Sequence, residues 1–178
     1  MSAGDEYVYG GVTLRLGTVG DIPVIEGIVG EAVPLMQAGG NFQWGDDYPT
    51  REHFTRDIEL SQLWVCLDGG ELIGVGALTE DQGEDYKQLW DISIKAVVPH
   101  RVCVSPKARG KGAAKAFMMH AETLSRQRGY ASVRVDTNSQ NAAMHHIFDG
   151  LGYKFLGDLA LAGRENMTFH GFEKFLNT

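Results

Sequence analysis

The sequence predicts one mixed α/β domain, and three observations carry that expectation. At 178 residues the chain fits a single ordinary domain, with no room for two independent ones. Its 43% hydrophobic and 22% charged residues suffice for a core and a soluble surface. Along it, runs of strand character interleave with runs of helical spacing, and no repeat, low-complexity tract or linker interrupts them.

Taken in order, residues 12–16 (Val-Thr-Leu-Arg-Leu) alternate with period two and read as a strand. Thr18 and Asp21 suit a helix start, and Ile22, Ile25, Ile28, Val29 and Ala32 follow at helical spacing. Pro23 belongs in the first turn, whereas Pro34 is expected to end or bend this helix. Gly39, Gly40 and Gly45 make residues 37–49 a loop, and Thr50 caps a second helix reaching about residue 60. Residues 63–67 and 71–79 flank a Gly69-Gly70 turn as a hairpin. Residues 80–88 read as a charged connection, and 96–104 as another strand with Pro99 near its start. The next helix closes at Arg126, Arg128 and Gly129, where cations and a glycine suit a C-terminus. Residues 132–136 form a strand, and Asn138 or Ser139 caps a helix that Gly150 and Gly152 end. Residues 153–157 and 171–176 complete the set as strands.

Composition excludes several classes. A net charge of −7 argues against a general nucleic-acid binder. No stretch approaches the ~18 apolar residues of a membrane helix, and the polar, acidic first ten residues offer no secretion signal, so the expected compartment is the cytoplasm. Two cysteines, Cys66 and Cys103, are too few for a disulfide scaffold and lack zinc-ligand spacing, and no metal is expected. The charge is uneven. Residues 41–91 carry twelve acids against three bases, whereas 105–128 carry Lys107, Arg109, Lys111, Lys115, Arg126 and Arg128 against Glu122 alone. Such a cationic island reads either as a solvated helix face or as the place of an anionic ligand.

Residues 102–114, Val-Cys-Val-Ser-Pro-Lys-Ala-Arg-Gly-Lys-Gly-Ala-Ala, run from strand through turn into helix. At such a junction the first helical N–H groups lack intrahelical partners and, with the helix dipole, form a site for phosphate oxygens. Gly110 and Gly112 carry no side chain to keep a phosphate away, Ala113 and Ala114 leave the entrance small, and Arg109 and Lys111 add cations. No Ser or Thr follows Lys111, which excludes a P-loop, and Lys115 stands at the third glycine of the dinucleotide fingerprint. A glycine-softened helix cap is the plain alternative.

These residues, with Asp136-Thr-Asn, Asn141-Ala-Ala-Met144, Ile147-Phe148 and Leu151-Gly-Tyr153 downstream, resemble the two motifs of the GNAT superfamily of N-acetyltransferases. The resemblance runs from about residue 12 to 176 and implies one GNAT-like domain over 1–178. Its sheet would be mixed, central and about six to seven strands wide, flanked by about four helices. It implies acetyl-CoA as co-substrate, an amine acceptor on a small molecule or peptide, and, at family level, a homodimer. Residue by residue, the backbone of Val102, Cys103 and Val104 would bind the pantetheine arm. Arg109, Gly110, Lys111, Gly112, Ala113 and Ala114 would hold the pyrophosphate, and Asn141 would meet the pantetheine end.

Transfer to an amine by direct attack in a ternary complex needs a proton acceptor, a polarised carbonyl and a way for the thiolate to leave. A backbone N–H near Val104 is the candidate for polarising the carbonyl. His100 shares a strand face with Val102 and Val104 and is the first candidate base, or a structural histidine beside Pro99. Glu80, acting through water, is the second, or a solvated loop acid. Phe148 stands where many family members carry a thiolate-protonating tyrosine, and it has no proton to give. His145 and His146 diverge on their helix and form no metal pair, and the Cys103 side chain faces away from Val102 and Val104. For the acceptor, Asp46 and Asp47 with Trp44 or Tyr48 suit a cationic amine, while Arg164 suits a carboxylate. Phe148 keeps a rival in view, a non-catalytic acyl-CoA-binding or sensing module. A plain interaction domain is the third reading.

Overall fold

The computed structural model describes residues 5–176. Its order is β1 (Tyr7–Tyr9), β2 (Val12–Leu16), α1 (Ile22–Ala38), α2 (Arg51–Glu59), β3 (Leu63–Asp68), β4 (Glu71–Thr79), β5 (Val98–Val104), α3 (Ala113–Gln127), β6 (Ser132–Asn138), α4 (Ala142–Leu151), β7 (Lys154–Leu159) and β8 (Phe169–Phe175). The mixed α/β class and the four helices are as expected. Among the described residues the strands number eight, in two antiparallel sheets ordered β1-β2-β3-β4-β5 and β6-β8-β7. The sheets meet through a parallel bridge, Val97 to Val133, beside which the Arg134 N–H donates to the Val97 carbonyl at 3.1 Å. Beyond it β5 and β6 do not pair, which divides the expected single central sheet in two.

Strand β1 was not expected, because three residues are too short for a periodic signal; it pairs with β2 across Gly10 and Gly11, at φ +57° and +95°. Helix α1 does not end at Pro34 but runs on to Ala38. Pro34 forgoes the hydrogen bond to the carbonyl four residues back, but Ile25, Ile28 and Ala32 stay packed on Phe54, Leu63, Val65 and Val75. That burial outweighs a single lost bond.

Helices α1 and α2 cover one face of the larger sheet and α3 the other, while α4 packs on the smaller sheet through Phe148 against Phe172. Gly74 and Gly76 of β4 let α3 sit close. A Cβ at Gly76 would lie 3.1 Å from the Phe117 ring and 3.2 Å from Val102. Fully buried Phe117 lies flat in that space and so sets where the N-terminus of α3 falls relative to β5.

The connection after β4 is better ordered than its charge suggests. Tyr86 stacks on Trp90 at 5.0 Å, and both pack with Leu159 and Phe169 as a small third core. Buried Arg134 donates from Nη1 to Gln82 Oε1 and to the carbonyls of Asp91 and Ile94, and from Nε to Glu173, pinning this connection to β6 and β8. No helix among the described residues is long and apolar enough to cross a membrane.

His120 of α3 is fully buried against Trp64 and Tyr7. The Thr123 hydroxyl donates to the Met119 carbonyl, and the Tyr9 hydroxyl donates to Thr123. The Tyr9 oxygen therefore accepts from His120 Nδ1, at 2.9 Å, and Nε2 is left bare and buried without a partner. Burial first, and the Arg128 charge second, push the His120 imidazole down to about 4. Its contribution to stability is complete above the unfolded value near 6.5 and is lost as pH falls from there through about 4. Urea unfolding across that window should show a loss approaching about 3 kcal/mol from this group. His120→Gln should flatten the curve over that range, and an unchanged pH dependence would show that His120 titrates normally.

Candidate active site

Where β5 and β6 part, each presents an unpaired edge. Ser105 donates its N–H to the Ile73 carbonyl of β4 at 2.8 Å, and Cys103 lies opposite Val75. By the alternation of an antiparallel ladder, Val102 and Val104 therefore turn their N–H and C=O groups to the open edge. Their side chains are half-buried, while Cys103 faces the opposite core beside Val75. Burial pushes the Cys103 thiol up to about 12, so it is no nucleophile.

The chain leaves β5 through a 3-10 turn at Pro106–Ala108 and enters α3 through Gly110 and Gly112, at φ +82° and +83°. Left-handed backbone at both points needs glycine and turns the helix N-terminus toward the gap. The N–H groups of Gly110, Gly112, Ala113 and Ala114 have no acceptor among the described residues. The cationic island is smaller than the sequence count implies. Lys107 pairs with Glu31, Lys111 with Asp68, Arg126 with Glu122 and Arg128 with Glu80. Among the described residues Arg109 and Lys115 are in no ion pair, and both are exposed at the start of α3. A fork and an ammonium thus stand beside free N–H groups, a set suited to a diphosphate.

A cavity of about 360 Å³ fills the space between the strands. Its walls combine β5 (His100, Arg101, Val102), β6 (Val135, Asp136, Thr137), α4 (Asn141, Met144, Phe148) and three connections that bring Trp44, Tyr48, Asp85, Tyr86 and Arg164. At Arg101 the strand bulges: Arg101 and Val102 together oppose Gly76, and Arg101 has φ +54°. Its guanidinium grips Asp57 with two bonds of 2.7 and 2.8 Å and donates to the Tyr48 hydroxyl at 3.1 Å. Burial works against the Arg101 charge, but Asp57 more than offsets it and raises the pKa.

His100 Nε2 lies 3.1 Å from the Asp81 carbonyl, which can only accept, so Nε2 carries a proton, and Nδ1 is the acceptor whenever the ring is neutral. The Tyr86 hydroxyl donates to Asp136 Oδ1 at 2.6 Å. Burial lifts the Asp136 carboxyl above the usual carboxylate range, against the opposing pull of the nearby His100 charge and of Tyr86.

An open-edged strand followed by a glycine turn and a cationic helix start is the arrangement the sequence motifs anticipate, and residues 33–153 match the Acetyltransferase (GNAT) family. The chain belongs to the GNAT acetyltransferases. It is an acyltransferase, and relatives cover nearly all of it. The uncharacterized N-acetyltransferase YesJ of Bacillus subtilis is 25% identical over 86% of this chain and 84% of its own. A GNAT-family acetyltransferase from Streptococcus agalactiae superposes with a TM-score of 0.83, at 26% identity, over 98% of this chain and all of the other. The fold is shared with yncA of Salmonella typhimurium, a putative acetyltransferase solved with its cofactor acetyl-CoA, at a TM-score of 0.67 and 19% identity over 94% and 95% of the two chains.

Within this acetyltransferase the expected site residues separate. Val102, His100 and Asn141 line the cavity, and residues 109–114 lie at the start of α3. Asn141 also caps α4: Oδ1 accepts from the Met144 N–H and Nδ2 donates to Thr137 Oγ1. Glu80 is not among the lining residues. It is held by Arg128 at 2.9 Å and reached by Lys95 at 3.9 Å, an ion-paired surface acid. Phe148 is fully buried against Phe172 and Tyr153, as its apolar spacing implied. Tyr86, Arg101 and Asp57 escaped notice in the sequence, and Asp136 stood out only within the downstream motif, because their partners lie 44 to 50 residues away. Asp57→Ala should strand the Arg101 charge and lower the unfolding free energy by about 3–5 kcal/mol in urea titrations. A loss below about 1 kcal/mol would mean that the pair is not needed for the fold.

Proposed function

We propose that this protein transfers an acetyl group from acetyl-CoA to a primary amine by direct attack in a ternary complex. The observation that carries this reading is the pair of parted edges with an unsatisfied, cationic helix start at one end and a polar cavity at the other. The groups present suit the cofactor: the free N–H groups of Gly110, Gly112, Ala113 and Ala114, with Arg109 and Lys115, match a diphosphate. The open edge of Val102 and Val104 matches the amides of pantetheine, as a strand would. Acetyl-CoA bound there supplies an activated thioester.

The chain's own residues then do the rest. An edge N–H of β5 donates to the thioester oxygen, where negative charge grows as the amine attacks. His100 Nδ1 takes the amine proton, directly or through one water, as the C–N bond forms. The C–S bond breaks with the electron pair leaving on sulfur. Phe148 offers no proton, but the Thr137 hydroxyl, which accepts from Asn141, keeps its own hydrogen for the thiolate. A thiolate, with a thiol reference pKa near 8.5, needs little more.

Thiol release from acetyl-CoA against an amine panel tests the reaction; a pure sensing module would bind CoA and release none. His100→Ala should lower kcat by roughly 10²- to 10⁴-fold with acetyl-CoA affinity unchanged, and undiminished turnover would remove His100 from the mechanism. Gly112→Glu puts a carboxylate at the phosphate site and should abolish CoA binding in calorimetry. Normal affinity in a folded variant would sink the proposed cofactor site.

A further inference from the structure

We infer that the acceptor is a small aminocarboxylate, its amine received by Asp136 and its carboxylate by Arg164; this rests on the acetyl-transfer reading and names the acceptor class of that site. Two arginines line the cavity, and they differ in what holds them. Arg101 is bound twice to Asp57, whose side chain is only 2% exposed, so that charge is spent inside the protein. Arg164 makes a single contact of 3.1 Å with Asp47, whose side chain is 70% exposed. An exposed partner is exchangeable at little cost, since ion pairs of this kind contribute on the order of 0–1 kcal/mol. A substrate carboxylate in the cavity can therefore displace Asp47, while Tyr48, 6.0 Å from the guanidinium, keeps the Arg164 fork in place.

The anionic wall stands on β6. Of the two acids in the cavity, Asp85 is committed to the Ala162 N–H at 2.9 Å, holding the segment that carries Arg164. Asp136 receives the Tyr86 hydroxyl on Oδ1, which leaves Oδ2 to accept from an ammonium, and the arriving positive charge favours the ionised carboxylate that burial alone opposes. Gln88 bonds both the N–H and the carbonyl of Ala160, so Tyr86 and the Arg164 segment are fixed to the same 3-10 turn, Glu84–Gln88. The two charges are thus set in one framework. The cavity, about 360 Å³, must also take the acetyl end of the cofactor, which suits a free small molecule rather than a protein terminus.

The test compares amino acids and ω-amino acids with the plain amines that lack the carboxylate. Thiol release reads turnover, and calorimetry with CoA present reads binding independently of chemistry. Aminocarboxylates are expected to exceed their amine counterparts, and Arg164→Gln is expected to lower them by about 10- to 100-fold while leaving the amines unchanged. Asp136→Asn is expected to raise KM for both, with acetyl-CoA affinity retained. Carboxylate-dependent binding without thiol release would support the acceptor class and overturn acetyl transfer. Equal handling of amines and aminocarboxylates, or equal loss of both in a folded Arg164→Gln, would overturn the acceptor class and leave transfer standing. Failure of every aminocarboxylate both to bind and to react would overturn it as well.

Discussion

The parting of β5 and β6 beyond the Val97–Val133 bridge is the constraint on which the rest of the site depends. Two strands that paired along their whole length would satisfy one another's backbone and leave nothing to bind. One bridge holds the sheets together, and the Arg134 network fixes the connection beneath it. Past that point each edge keeps unspent donors and acceptors. A sheet edge is ordinarily a liability; here α3 and α4 flank it and limit what can approach.

The geometry of the gap is set by small residues as much as by polar ones. Gly74 and Gly76 admit Phe117, and Phe117 seats α3. Gly110 and Gly112 aim the helix start, and the bulge at Arg101 lets a guanidinium reach back to Asp57 under the opposite layer. Gly171 has the same spatial meaning elsewhere: a Cβ there would come within 2.1 Å of Leu89, which fills the space beside β8. No side chain at these glycines carries chemistry, yet each fixes how closely neighbouring elements approach.

What the sequence disclosed follows the range of the interactions. Strands β2 to β8, the helices and the two motifs are local patterns, written in periodicity, caps and glycine spacing, and they were legible. Asp136 was visible only as part of a motif, because its meaning comes from Tyr86, fifty residues earlier. Charge counting along the chain proved only half right. Residues 105–128 are strongly basic, but Glu31, Asp68 and Glu80 fold onto three of the six cations, so the anion site rests on Arg109 and Lys115 with the helix end. Conversely, Asp47 and Arg164, which suggest opposite acceptors when read separately, prove to be partners.

The open edge of β5 has one further consequence. On the proposed reading the pantetheine arm serves as a removable extra strand, so the protein is architecturally complete only while cofactor is in place. A ligand that binds the native state alone adds about 2.7 kcal/mol at a hundred times its dissociation constant. Durability and catalytic readiness would then draw on the same metabolite: when acetyl-CoA runs short, the enzyme idles and loses that margin of stability together.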